Sequence, residues 1–335
     1  MAHEIEQMVY VGATPWHGLG TQVDAINVPD ALRLAGLDWT VEAKPLVLAE
    51  DTANCDSLDA CRDIPARAIV RSSDGKVLGV VGMDYVPCQN AEKLAVIAPL
   101  VESGAARIDT AGSLRGGRRV WLQTDMGIRG DVSRGDEIQQ RLLVCGSHDG
   151  SMAVRVMESV TRVVCANTLA MATAERGRGI SIKHTRSVHD RMAEVQRVVA
   201  ESQASFARAL DSYRHLATVK VTESATRAYV KAVFAQRASK PASAPSSILV
   251  EDRTGGAADP AGERVADRVM ELVEGGRGAE LSRGTAWGAY NAVTEYLTHL
   301  RGTDADRRLD SNWFGNGAQL NARALDMALA MDGGR

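Results

Sequence analysis

The sequence contains no apolar run approaching the ~20 residues that a membrane helix requires, and its start, MAHEIEQMVYVG, has neither the basic region nor the apolar stretch of a secretory leader. Both absences lead to the expectation of a cytoplasmic protein with no membrane partner. Aromatic residues make up only 4% of the chain. The core must therefore be built mostly from Ala, Val and Leu, whose side chains each bury little area, and support from self-association into a homo-oligomer is expected. The cysteines, Cys55, Cys61, Cys88, Cys145 and Cys165, are odd in number and lack any C-x-x-C spacing. That pattern opposes a disulfide framework and a structural zinc site. There is no phosphate-binding G-x-x-x-x-G-K-[ST] loop, no G-x-G-x-x-G after a strand, no H-E-x-x-H and no G-x-S-x-G. No cofactor is expected, and a binding protein is favoured over an enzyme.

The composition is otherwise globular: 335 residues, 45% hydrophobic and 24% charged. The net charge of −3 hides an asymmetry, because residues 105–200 hold 15 Lys/Arg against 10 Asp/Glu. A basic middle in an acidic chain points to an anionic partner, and a solvated mixed surface is the plainer alternative.

Local patterns predict an α+β protein with an antiparallel sheet and a mostly helical C-terminal half. Residues 1–62 read as irregular apart from a short helix near Pro29–Gly36 and a strand over Leu37–Leu48 broken at Pro45. Ile64–Arg71 and Val77–Met83 flank SSDGK, whose Asp-Gly suits a tight hairpin turn. Ala91–Ser103 has helical spacing. Ala105–Leu114 and Val120–Met126 flank a second, basic tip, Arg115-Gly116-Gly117-Arg118-Arg119. Arg141–Ser147 and Met152–Met157 read as further strands, and Ser159 or Thr161 as the cap of a helix reaching Ala174. This gives a β-β-β-α core. Ile180–His184 is expected to be extended. An amphipathic helix follows from Val188 to about residue 216, then a helix over Glu223–Arg237. Residues 239–262, rich in Pro, Ser, Gly and Ala, read as a linker or mobile loop. Helices are expected at 263–274, 284–300 and 318–331. The implied organisation is a strand-rich unit over 1–186, amphipathic helices over 187–238, the loop over 239–262 and a helical region over 263–335.

The basic tip carries the clearest chemistry. Glycines let the backbone approach a phosphate, and arginine offers it a two-pronged donor. Arg115, Arg118 and Arg119 are candidate nucleic-acid contacts, and a solvated turn is the alternative. Arg162, expected in the first turn of a helix, opposes the helix dipole unless Glu158 or a phosphate compensates. Arg155, Lys183, His184 and Arg186 are placed on the same candidate surface. Trp16 and His17, within TPWHGLG, could contact a ligand, though an aromatic strap is the commoner role for such a segment. Asn167 is either a ligand contact or a buried polar anchor. Ser147, His148 and Asp149 are adjacent in the chain, so they cannot form a triad. A metal site from His148, Asp149, His184 and His189 lacks any i, i+3 or i, i+4 pair; it would belong to a metal-dependent hydrolase or nuclease.

Several strings resemble a known group. PWHGLG, AGLDW, YVPCQN, GGRRVW, SHDGS, TRVVCANTL, IKHT and GTAWGAYNAVTEYLTH resemble the phage/plasmid-like protein family, an uncharacterised group of phages, plasmids and bacterial genomes. That resemblance implies a mobile-element origin and no particular reaction. The β-β-β-α order at about 105–174 is similar to the core of Rad-fifty-two-like single-strand annealing proteins, which implies ATP-independent binding of single-stranded DNA in a basic groove. DNA recombination by strand annealing is the leading expectation. A protein-binding modulator of host machinery is the second.

Overall fold

The computed structural model describes residues 5–12, 19–49, 61–169, 179–183, 195–235 and 260–331. Trp16, His17, His184, Arg186, His189 and almost all of the expected loop at 239–262 lie outside them.

The N-terminal half is built on antiparallel pairing between strands that follow one another closely in sequence. In chain order the strands are β1 (Ile5–Val11), β2 (Thr21–Val23), β3 (Val41–Ala49), β4 (Cys61–Arg71), β5 (Val77–Gly82), β6 (Arg107–Leu114), β7 (Arg119–Ser133), β8 (Asp136–Ser147), β9 (Val154–Arg162), β10 (Asn167–Leu169) and β11 (Gly179–Ile182). The larger sheet has the order β10-β9-β8-β7-β6-β1-β2, with β11 also paired to β9; the smaller is β3-β4-β5. Only β1 and β2 are parallel among the pairs described. The Asp-Gly hairpin joins β4 to β5 as its turn chemistry predicts, and Pro45 marks a register shift against β4.

Three expectations are corrected here. Ile5–Val11, expected to be irregular, is a strand: β1 pairs with β6 and becomes part of the main sheet. Residues 91–103 form two short helices, α1 having been Val28–Leu34: α2 (Asn90–Ala95) and α3 (Ala98–Glu102). The break falls at Val96–Ile97, because Pro99 has no N–H to donate to the Ala95 carbonyl four residues back and its ring crowds that carbonyl. The third correction is the largest. No helix begins at Ser159 or Thr161; β9 continues to Arg162, a turn with Ala166 at φ 53° follows, and β10 pairs back onto β9. The Ser/Thr capping pattern lost to non-local pairing, because Ile138–Cys145 offers β9 a full ladder of partners.

The helical half holds α4 (Val195–Thr218), α5 (Glu223–Phe234), α6 (Pro260–Gly275), α7 (Ala286–Glu295), α8 (Ala305–Phe314) and α9 (Asn316–Leu329). A π-helical turn, Tyr296–Leu300, extends α7. The α8 segment was not expected, since ADRRLDSNWF presents few apolar positions.

The paired stretches Val120–Thr124 of β7 and Leu142–Ser147 of β8 are buried on both faces, which is why they contain the apolar runs Val120–Leu122 and Leu142–Cys145. On one face Val120, Leu122 and Val144 join α1–α3 and the small sheet in one core. On the other, Trp121, Leu143 and Cys145 meet Met8, Tyr10 and Leu309 of α8. A third core joins the far ends of β7–β9, through Val132, Ile138 and Val160, to Phe206 and Tyr213 of α4 and to Trp287 and Tyr290 of α7. The helical half is thus built against the sheet. Among the described residues, no helix is long and apolar enough to cross a membrane.

Candidate functional site

The tips of two hairpins meet at one end of the sheets. A side chain at Gly116, in the β6–β7 turn, would run into the Lys76 ammonium of the β4–β5 turn. One at Gly117 would stand 2.7 Å from Arg71 Nη1. Positive φ values of 65° and 85° call for glycine at both positions, and at Gly117 the held Arg71 guanidinium adds a second reason. Arg115 also takes a left-handed conformation, φ 55°, which is uncommon for a residue with a side chain.

The arginines at this end are mostly engaged. Arg115 Nη2 donates to Asp310 of α8 at 2.6 Å, and Arg119 donates to the other oxygen of the same carboxylate. Arg119 also lies over the Phe314 ring, 5.8 Å from its centroid. Arg71 is held by Glu6 at 2.8 and 3.0 Å and by Asp74 at 2.5 and 2.9 Å, over the face of Trp39. Its pair with Arg71 lowers the Asp74 carboxyl to about 2. Arg118 and Lys76 are exposed, and Arg115 keeps 40% of its side chain in solvent outside a carboxylate only 9% exposed.

The remaining sequence-derived candidates lie elsewhere. Arg162 ends a strand inside the protein and has no helix N-terminus to oppose. Its side chain is 1% exposed and grips Asp136, 0% exposed, through Nε and Nη2 at 2.6 and 2.7 Å. Nη2 also donates to Gly278 O at 2.9 Å, and Trp287 Nε1 donates to Asp136 Oδ2 at 2.8 Å. Burial opposes the guanidinium charge, the Asp136 bonds outweigh it, and its pKa stands above the ordinary value. Asn167 is the polar anchor its apolar neighbours suggested: Nδ2 donates to Thr294 Oγ1 at 3.1 Å, and Oδ1 accepts from His299 Nε2 at 3.0 Å. Arg155 is half-buried in β9, opposite Cys145 and Ser181, and Lys183 is exposed at the end of β11.

His148 is not poised for metal chemistry. It is fully buried, 5.2 Å from the Trp39 ring, and its Nε2 lies 2.7 Å from Asn90 Oδ1. Asn90 Nδ2 donates to the Leu37 carbonyl, so Oδ1 is the acceptor and His148 Nε2 carries the proton. Lys93 Nζ approaches the same ring, 3.1 Å from Nε2 and 3.4 Å from Nδ1, and a cation there competes with any metal. Burial lowers the Lys93 ammonium to about 8. Cys145 and Cys165, both buried and free, are pushed up to about 12 and about 11, which suits packing residues rather than nucleophiles. Among the described residues no group of three His, Cys, Asp or Glu could hold a metal.

Two partners of this end were not singled out from sequence. Lys76 sits beside the Asp-Gly turn and carried no motif. Asp310 is separated from Arg115 by 195 residues.

Comparison with known families matches residues 77–316 to a domain of unknown function, DUF932. The chain belongs to the DUF932 family. The matched region starts at β5 and ends with α8, so it includes the basic tip and the Asp310 that binds it. No curated protein matches the chain, and no solved structure does.

Proposed function

We propose that this DUF932 protein is an ATP-independent DNA-binding protein of a phage or other mobile element, holding single-stranded DNA for annealing during recombination. One observation carries the reading: two hairpin tips converge and set Lys76, Arg115 and Arg118 around the glycine backbone of residues 116–117. Such a surface offers point and forked donors to phosphates without reading bases. The few aromatics nearby are packed, Trp39 under Arg71 and Trp121 in the core, so backbone contact is the mode that fits. The mobile-element origin rests on the strings shared with phage/plasmid-like proteins. Self-association through the helical half belongs to the same proposal.

The test is binding of a fluorescent single-stranded oligonucleotide at several salt concentrations. Wild type is expected to bind with a log–log salt slope of about −0.7 per phosphate contacted. Lys76→Ala/Arg118→Ala is expected to weaken binding and flatten that slope, while leaving the fold intact because both side chains are exposed. Binding that ignores salt, or survives the double variant unchanged, overturns the proposal.

A second reading, a modulator docking on a host protein, is favoured by the ribbon beyond Pro45. There Val47, Leu48 and Ile64 are 43%, 47% and 38% exposed, with Val47 and Leu48 on opposite faces of the ribbon. A stoichiometric host partner, free of DNA and lost in Leu48→Asp, would decide for it.

A further inference from the structure

A cavity of about 280 Å³ lies where the π-helical turn gives way to α8. The chain leaves the turn at Arg301, whose N–H still donates to Tyr296 O at 2.8 Å and whose ψ of 122° is extended. Gly302, at φ 74°, reverses the direction, and α8 starts three residues later. This short reversal gathers three guanidinium groups around one space: Arg301, Arg307 and Arg308. Asp304 is the one carboxylate among the described residues lining it, and its Oδ2 lies 3.4 Å from Arg307 Nε. The described lining residues therefore carry a net charge of about +2.

Two features make this more than a crowd of surface arginines. Arg301 Nη1 is buried and has no hydrogen-bond partner among the described residues. A buried donor of a charged group left without an acceptor is costly, and the Arg301 side chain that carries it lines the cavity. The space also opens at the N-terminus of the ten-residue α8, whose first N–H groups lack intrahelical acceptors and favour negative charge. Arg308 Nη1 donates to Gly302 O at 3.1 Å, which fixes that side chain across the reversal. π-Helical turns are rare and often stand at functional positions.

We propose that this cavity is a binding site for a small phosphate-type oxyanion, either free phosphate or the phosphate group of a small monoester. Forked guanidinium donors match the geometry of a tetrahedral oxyanion, and the cavity is at the small end of ligand sites. The site is separate from the hairpin tips: none of its lining residues is Lys76, Arg115 or Arg118.

Calorimetric titration of the full chain with inorganic phosphate tests it, with glycerol 3-phosphate in a parallel arm and sodium chloride at matched ionic strength as the control. Saturable heat with phosphate but not chloride is expected, at concentrations up to about 10 mM. Tighter binding of glycerol 3-phosphate would assign the site to a monoester, and tighter binding of phosphate to the free ion; either supports the proposal. Arg301→Met is expected to weaken binding by about tenfold or more. Should Arg301→Met fail to fold, Arg307→Gln serves, since that side chain is 67% exposed and its loss leaves the fold standing. Absence of saturable binding to wild type, or unchanged binding in the folded variant, overturns the site.

Discussion

Lys93 is a cation with no exposed surface, and the nearest polar groups are the two nitrogens of one imidazole. Its aliphatic stem crosses Gly146, where a Cβ would stand 3.0 Å from Lys93 Cε. An ammonium so placed loses hydration without gaining a carboxylate, which is why it titrates near 8 rather than 10.5. The consequence for stability has a definite sign. Between about pH 8 and pH 10.5 the unfolded chain holds the Lys93 proton more tightly than the folded chain does, so this group makes stability rise with pH across that window. Below it both states are protonated and the burial cost is constant. Urea unfolding from pH 7.5 upward, as about half-unit steps, should show a rise in wild type worth on the order of 3 kcal/mol that is missing in Lys93→Met. Equal pH profiles for the two proteins would show that the amine is not buried in solution. Nothing in the sequence marked Lys93: it sits beside the helical stripe of Leu94, Ile97 and Val101, and its partner His148 is 55 residues away.

At the scale of elements, the two sheets are held together by a close approach that only glycine permits. A Cβ at Gly79 in β5 would lie 2.5 Å from Asp149 Cα in the turn between β8 and β9. That neighbour is backbone, so it cannot swing aside. Gly79→Ala must push the small sheet off the large one, at a cost of about 1–3 kcal/mol. Gly82→Ala, on the same strand with no atom within 4 Å of a Cβ, should change stability by less than about 0.5 kcal/mol. Denaturant midpoints with unchanged slopes would measure both, and equal effects at the two positions would refute the contact. The hairpin carrying Gly79 was legible because Asp74-Gly75 is a local signal whose turn closes with Arg71 N donating to Lys76 O. The α8 helix was not, because its one fully buried apolar side chain, Leu309, is covered by distant Met8, Tyr10 and Trp121, with Trp313 and Phe314 only partly buried beside it.

Over the whole molecule, folding pairs several arginines of the basic middle with carboxylates, one of them brought from far outside it. Asp310 closes on Arg115 and Arg119, and Asp136 closes on Arg162, so the basic middle draws on acidic residues both near and far in sequence. Long-range potential, not the count of arginines, governs how such a surface meets a polyanion. Asp310→Asn keeps the shape and several of the hydrogen bonds while removing the countercharge. If the hairpin end holds DNA, that variant should bind single-stranded DNA several-fold more tightly, with a salt slope steeper by about 0.7 for each arginine released. Unchanged affinity and slope would place any DNA contact away from these arginines.

The sequence by itself determined the α+β class, the hairpins, the extents of α5, α6 and α9 to within a few residues, the C-terminal end of α4, and the amphipathic stripe of Phe206, Leu210 and Tyr213 that is buried in α4. Those follow from turn chemistry and periodicity, which act over a few residues. Only the tertiary structure decided that β1 enters the main sheet, that β9 stays extended through Arg162, and which arginines reach solvent. Each of these depends on a partner brought from far along the chain: Leu114 for Ile5, Ile138 for Arg162, Asp310 for Arg115. Pairing free energy of that kind depends on three-dimensional proximity, and it overrides the local preference of a Ser/Thr cap or an arginine-rich turn.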